Sequence, residues 1–261
     1  MSEISLRAET LFKIAGFPIT NALFMSVLVL ILLIVIAVLL RRKLSMVPGA
    51  MQNIAEMIIE GALGIMDTVL GNRKTSEKYF PLVFTIFIFI LFSNWLGLLP
   101  GVGSVVVNEG GKSTELLRSP ASDLNFTLAL AVIAITFVNV ASSVAIGFWK
   151  RLGVFFNFHG PVDFFIGILE LISEFAKIIS LSFRLFGNVF AGEVLLAIMA
   201  FLVPYVVPLP FMFLEIFVGS IQAFIFAMLT VVFIGMALAV HGDEDTHAAD
   251  VNAMPKVAPN H

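Results

Sequence analysis

The chain has 261 residues, 59% of them hydrophobic and 13% charged, and its mean hydropathy is +1.04. A soluble domain carries roughly 25% charged and about 45–50% apolar residues, so this composition excludes an aqueous globular domain and points to an integral membrane protein. The formal net charge of −3 argues against a nucleic-acid partner, and the lack of any Cys excludes disulfides, thiolate metal sites and cysteine nucleophiles.

The first apolar run is Ala22 to Leu40, closed by Arg41, Arg42 and Lys43. It is long enough to cross a hydrocarbon core of about 30 Å at about 1.5 Å per residue. The basic cluster follows the run instead of preceding it, so it reads as a retained anchor rather than a cleaved signal. Met46 to Leu70 comes next, with Ile54, Ala55, Ile58, Ile59, Ala62, Ile65, Met66 and Val69 at helical spacing and polar residues on the rest. It is too polar to span and reads as an amphipathic helix lying in the interface. Further apolar runs cover Tyr79 to Leu99, Asn125 to Trp149, Asp163 to Val203 and Leu209 to Val240. Prolines 204, 208 and 210 break the last two runs apart.

The expected fold is therefore an all-α polytopic membrane protein with five crossing helices and one interfacial amphipathic helix. Residues 1–240 form a single membrane domain, and the acidic 241–261 tail is expected to be disordered. Arg41, Arg42, Lys43, Arg73, Lys74, Lys78, Lys150 and Arg151 fall on one side of the membrane. The positive-inside rule then puts the C-terminus in the cytoplasm and the N-terminus outside.

The fourth run holds Glu170, Glu174, Lys177, Arg184 and Glu193. Arg184 lies near its middle, too far from either interface to snorkel easily, and arginine stays charged. Charged groups inside spans are costly and face protein or a water cavity, so this is the candidate functional site. At about 100° per residue, Glu170, Ser173, Lys177, Ser180 and Asn188 fall within roughly 40° of Arg184. Glu193 falls on the opposite side, about 13 Å further along the axis. The fifth run carries Glu215 and Gln222 on one face. An antiparallel hairpin turning near Pro204 sets Glu193 level with Glu215 and Arg184 level with Gln222. A continuous helix over the fourth run would be about 60 Å long, so the hairpin is expected to be long and tilted.

Purely structural roles are the plain alternative: Arg184 could satisfy an internal carboxylate, and Glu170 or Glu174 could pair with Lys177. The His residues show no metal-ligand spacing, and no phosphate-binding loop, dinucleotide fingerprint or hydrolase nucleophile motif occurs in a usable context. No catalytic site, cofactor or metal is expected. A secondary transporter would explain the intramembrane charges, but the two halves show no duplicated charge pattern. A structural scaffold leaves the Arg184 stripe unexplained.

The segment Ser180-Leu181-Ser182-Phe183-Arg184-Leu185-Phe186-Gly187-Asn188-Val189-Phe190-Ala191-Gly192-Glu193 resembles the signature of subunit a of the F-type rotary ATP synthase. Ile221-Gln222-Ala223-Phe224-Ile225-Phe226, Asn94-Trp95-Leu96-Gly97-Leu98-Leu99-Pro100-Gly101, and Pro48, Gln52 and Asn53 extend the resemblance over nearly the whole chain. The resemblance implies a stator that lies against a ring of c subunits and offers two offset proton half-channels. Subunit b or other peripheral-stalk subunits are its further partners, with the soluble ATPase head engaged indirectly. Arg184 matches the family's essential arginine. Glu193, Glu215 and Gln222 match the outer half-channel, and Glu170, Ser173 and Asn188 match polar positions along or near the stripe. The family often has His at one of the positions held here by Glu193 and Glu215, so no relay through imidazole is implied. The expected coupling ion is H⁺, and the expected location is a bacterial plasma membrane.

Overall fold

A computed structural model describes residues 9–14, 17–42, 44–45, 49–99, 102, 106–109, 112–147, 161–203 and 206–239. The expected acidic tail, 241–261, lies outside them. Among the described residues six α-helices dominate: α1 (Asn21–Arg42), α2 (Ala50–Leu70), α3 (Arg73–Gly97), α4 (Leu124–Ile146), α5 (Pro161–Leu202) and α6 (Pro208–Ala239). All except α2 are long and apolar enough to cross a membrane. The protein is an all-α polytopic membrane protein.

Among the described residues two antiparallel hairpins add to the helices. Strand β1 (Thr10–Ile14) pairs with β2 (Phe17–Thr20), and β3 (Val106–Glu109) pairs with β4 (Lys112–Glu115). The apolar-run reading passes over them, because strands this short carry too few residues to establish a period of two. A 3₁₀ turn, Pro120–Ser122, leads into α4.

Helix ends follow local chemistry. Asn72 caps α3 by accepting from the Lys74 amide at 3.0 Å, and Asp123 caps α4 by accepting from the Asn125 amide at 3.0 Å. Gly71 ends α2 in the left-handed region (φ 68°), with its N–H donating to the Asp67 carbonyl at 2.9 Å. Proline opens both α5 and α6, where a missing N–H costs nothing and the fixed φ suits the first turn. Of the prolines expected to break the last two runs, Pro208 starts α6 and Pro210 lies in its first turn, while Pro204 lies outside the described residues.

Between helices in lipid there is little hydrophobic driving force, so close packing and interhelical hydrogen bonds hold the bundle. The interior is accordingly rich in small residues. Ala131, Ala134, Ala223, Ser142, Ser182, Thr127 and Thr230 are all fully buried among Ile90, Leu185, Phe226 and Ile234. Thr127 of α4 and Ser182 of α5 share a hydrogen bond at 3.1 Å, and Ser142 donates to the Ala237 carbonyl of α6 at 3.2 Å.

Helix α2 packs only an edge on this bundle. Leu63 and Met66 are buried against it, while Ile54, Ile58, Ile59 and Ile65 of the apolar stripe remain exposed. Its far end is tied to α3 by Arg73, whose guanidinium reaches Glu60 at 2.7 Å, Asp67 at 3.0 Å and Glu77 at 3.2 Å. The Ser76 hydroxyl and the Arg73 guanidinium hold the Asp67 carboxyl below its usual range, because both stabilise the ionised form.

Candidate functional site

Helix α5 is one continuous run of 42 residues, about 63 Å long, against a hydrocarbon core of about 30 Å. It packs on α4 and α6 through Leu181, Leu185 and Val189, which recur every four residues and are nearly or fully buried. That stripe orients every other side chain on the helix.

Arg184 consequently points outward and is exposed. Its Nη2 donates to the Ser180 hydroxyl at a long 3.4 Å, and among the described residues no carboxylate stands within ion-pair distance. Exposed apolar side chains occur elsewhere on the same two helices, such as Phe183 on α5 and Ile221 and Phe224 on α6. A permanently charged group in mid-span therefore sits on the outer surface of the protein, on the helix face that also carries Ser173, Lys177, Ser180 and Asn188.

Glu193 and Glu215 face inward. Together with Asn94, Gly97, Ser119 and Val189 they line a small cleft, with room for about one water molecule, near the end where α5 and α6 turn. Glu215 is buried, at 9% exposure, and its carboxylate lies against Gly192; a Cβ at that position would overlap it. Glu193 is half-buried and meets the Arg118 guanidinium at 3.8 Å, while Arg118 Nε donates to the Ser122 hydroxyl at 3.1 Å. The hairpin register expected from the sequence set the two carboxylates level, and both border this one cleft.

Two neighbours of the carboxylates have polar atoms buried without a hydrogen-bond partner among the described residues: Asn94 Oδ1 and Ser119 Oγ. Such atoms are uncommon in protein interiors, and these two belong to residues that line the cleft. Gln222 and Asn188 show the same feature at Nε2 and Nδ2. Gln222 lies on the inward side of α6 at 7% exposure and Asn188 is half-buried on α5. Glu170 and Ser173 are half-buried toward the other end of α5 and do not join the cleft.

Helix α3 fixes one wall. Asn94 Nδ2 donates to the Gly219 carbonyl of α6 at 3.0 Å, and Trp95 Nε1 donates to the Ser220 hydroxyl at 2.9 Å. Gly97 lets Ser119 approach: a Cβ there would stand 2.6 Å from Ser119 Cβ. Arg118 and Ser119 were not singled out from the sequence as site residues. A lone cation next to a turn-forming Pro120, on the same side of the membrane as Glu193, was the only signal available.

A second polar group lies on the opposite side of Arg184 along α5. Of the two carboxylates the sequence offered for Lys177, the structure pairs it with Glu174, at 2.8 Å. The charges on α5 thus include Glu193 at the inward cleft toward the hairpin turn, an outward Arg184, and the Glu174–Lys177 pair with half-buried Glu170 toward the other end.

The family model described as ATP synthase A chain matches residues 22–235, which include every residue of this arrangement. The chain belongs to the subunit a family of F-type ATP synthases. It is similar to the ATP synthase subunit a of Helicobacter pylori, 37% identical over 235 residues that cover 87% of this chain and 95% of the relative. It is 36% identical to the ATP synthase subunit a of Campylobacter concisus over 220 residues, covering 83% and 89% of the two chains. The subunit a of Campylobacter jejuni is 35% identical over 216 residues, covering 82% and 88%. As a member of the subunit a family, the protein is a membrane component of ATP synthase and takes part in ATP synthesis and proton transport.

Proposed function

We propose that the chain is the stator that carries protons past a ring of c subunits through two offset half-channels, coupling their flow to rotation and ATP synthesis. The observation that carries the reading is Arg184: always charged, in mid-span, exposed, with no carboxylate at ion-pair distance among the described residues. Lipid is a costly environment for such a group. A carboxylate on a second membrane body that lies against α5 and α6 supplies the missing counter-charge.

The mechanism follows from electrostatics. A ring carboxylate facing lipid keeps its proton, because the ionised form is poorly solvated there. Beside Arg184 the ionised form is favoured and the proton leaves. The cleft bordered by Glu193 and Glu215, with Gln222 deeper on α6, serves as the outer half-channel. Glu170, Ser173 and Asn188 serve the polar path along or near the Arg184 stripe. Arg184 stands between the two and blocks a direct leak. Each elementary charge crossing the membrane is worth about 2.3 kcal/mol per 100 mV, and offset channels deliver it only through rotation. The chain has no catalytic site of its own in this scheme. Subunit b or other peripheral-stalk subunits hold it still, and the soluble head works through the complex. It sits in a bacterial plasma membrane with the C-terminus cytoplasmic.

The test is ATP-driven proton pumping, with ATP hydrolysis measured in parallel, in membranes carrying the assembled complex with Arg184→Ala. Loss of pumping at normal assembly is the expected result. Undiminished pumping would make Arg184 structural and remove the basis of the reading.

A further inference from the structure

Helix α5 carries a second cation on the Arg184 face. Lys177 lies two turns earlier, within about 20° of Arg184 in projection and about 10 Å along the axis. Its ammonium does not stay on that face. Nζ donates to Glu174 Oε1 at 2.8 Å and sits 5.5 Å from the centre of the Phe233 ring of α6. Glu174 is 8% exposed, and its other oxygen, Oε2, accepts from Asn139 Nδ2 of α4 at 2.9 Å. Asn139 Nδ2 also donates to the Ile135 carbonyl at 3.1 Å, which steadies the amide. Three helices thus converge on one ion pair whose carboxylate is buried and whose lysine is half-buried.

Packing alone does not call for charges here. An apolar pair of similar volume would hold three helices as well or better, because both ions must be desolvated. The arrangement does something an apolar pair cannot: it cancels a positive charge near the Arg184 face and draws it inward. A ring carboxylate passing two uncompensated cations at different depths would be stabilised in its ionised form at both. It would then be held short of Arg184, or release its proton on the wrong side of it.

We infer that Glu174 is a positioning residue that neutralises Lys177 and pulls its ammonium off the Arg184 face, leaving Arg184 as the cation presented there. This rests on the motor reading above. The carboxylate acts through Lys177 and does not itself carry protons.

The test uses assembled complexes in native membranes, with proton pumping and ATP hydrolysis measured together. Glu174→Gln keeps the side-chain shape, removes the compensating charge, and is expected to lower pumping by about tenfold while hydrolysis continues. Adding Lys177→Met to that variant is expected to restore pumping, which a merely packing role for Glu174 would not allow. Normal pumping by assembled Glu174→Gln overturns the inference, as does a double variant no better than the single one. If Glu174→Gln fails to assemble, recovery of both assembly and pumping in the double variant supports the inference, and failure to recover either overturns it. Arg184→Ala measured in the same membranes separates the two levels. Normal pumping by that variant overturns the motor reading and this inference with it. Lost pumping there beside normal Glu174→Gln overturns this inference alone.

Discussion

The carboxylate of Glu215 occupies the space that a side chain at position 192 would fill. Helix α6 delivers its buried acid against bare backbone of α5, one residue before Glu193, and this places both carboxylates on one cleft. Glycine in mid-helix is unfavourable by about 1 kcal/mol relative to alanine, so it is informative where close approach requires it.

Gly192→Ala should therefore fold and yet perturb transport. The overlap is with the far end of a flexible side chain, which can swing aside, so assembly is retained while the carboxylate leaves its place. Proton pumping should fall about as far as in Glu215→Gln, and Glu215→Asp in the Gly192→Ala background should recover part of it, because the shorter acid leaves room for the methyl. Flux unchanged in Glu215→Gln would remove Glu215 from the proton path.

Gly97→Ala should behave differently. Its new Cβ would meet Ser119 Cβ at 2.6 Å and the Ser119 Cα at 3.2 Å, and backbone cannot swing away. The end of α3 must separate from the segment before α4, at a cost of about 1–3 kcal/mol for overpacking. A lower unfolding temperature of the detergent-solubilised subunit would register this, whereas Gly187→Ala, with open space around its Cβ, should leave that temperature close to wild type.

The Thr127–Ser182 hydrogen bond offers a measure of how polar contacts bind α4 to α5. A double-mutant cycle with Thr127→Val and Ser182→Ala should give a coupling of about 0.6 kcal/mol, the average for such bonds between membrane helices. A coupling of zero would leave the α4–α5 contact to packing alone.

At the α2–α3 corner, Asp67 titrates below its ordinary value of 3.8 because of Ser76 and Arg73. A carboxylate whose folded value is depressed stabilises the folded form above its unfolded value, and loses that contribution as pH falls through the folded one. Asp67→Asn should loosen the corner near neutral pH, seen as faster amide exchange over residues 67–76. The difference between wild type and variant should shrink once pH drops below about 3.8, the ordinary carboxylate value. A difference that persists at the acid end would mean the carboxylate's charge is not what holds the corner.

Much of the molecule was legible in one dimension. Apolar runs report burial in lipid residue by residue, so the five spans, the more polar α2 and the mid-span Arg184 needed no coordinates. Helical period also places Arg184 and Glu193 on opposite sides of α5, since both angles derive from one rigid geometry. Only the tertiary structure decided which helices meet. Periodicity says which way a side chain points but not what it meets. Glu215 against Gly192, Glu193 beside Arg118, and Glu174 rather than Glu170 on Lys177 all depend on the rotation and depth of neighbouring helices. Those are set by the fit of small residues such as Ala131, Ala134 and Ala223 across the bundle, a property of pairs of surfaces that no single segment contains.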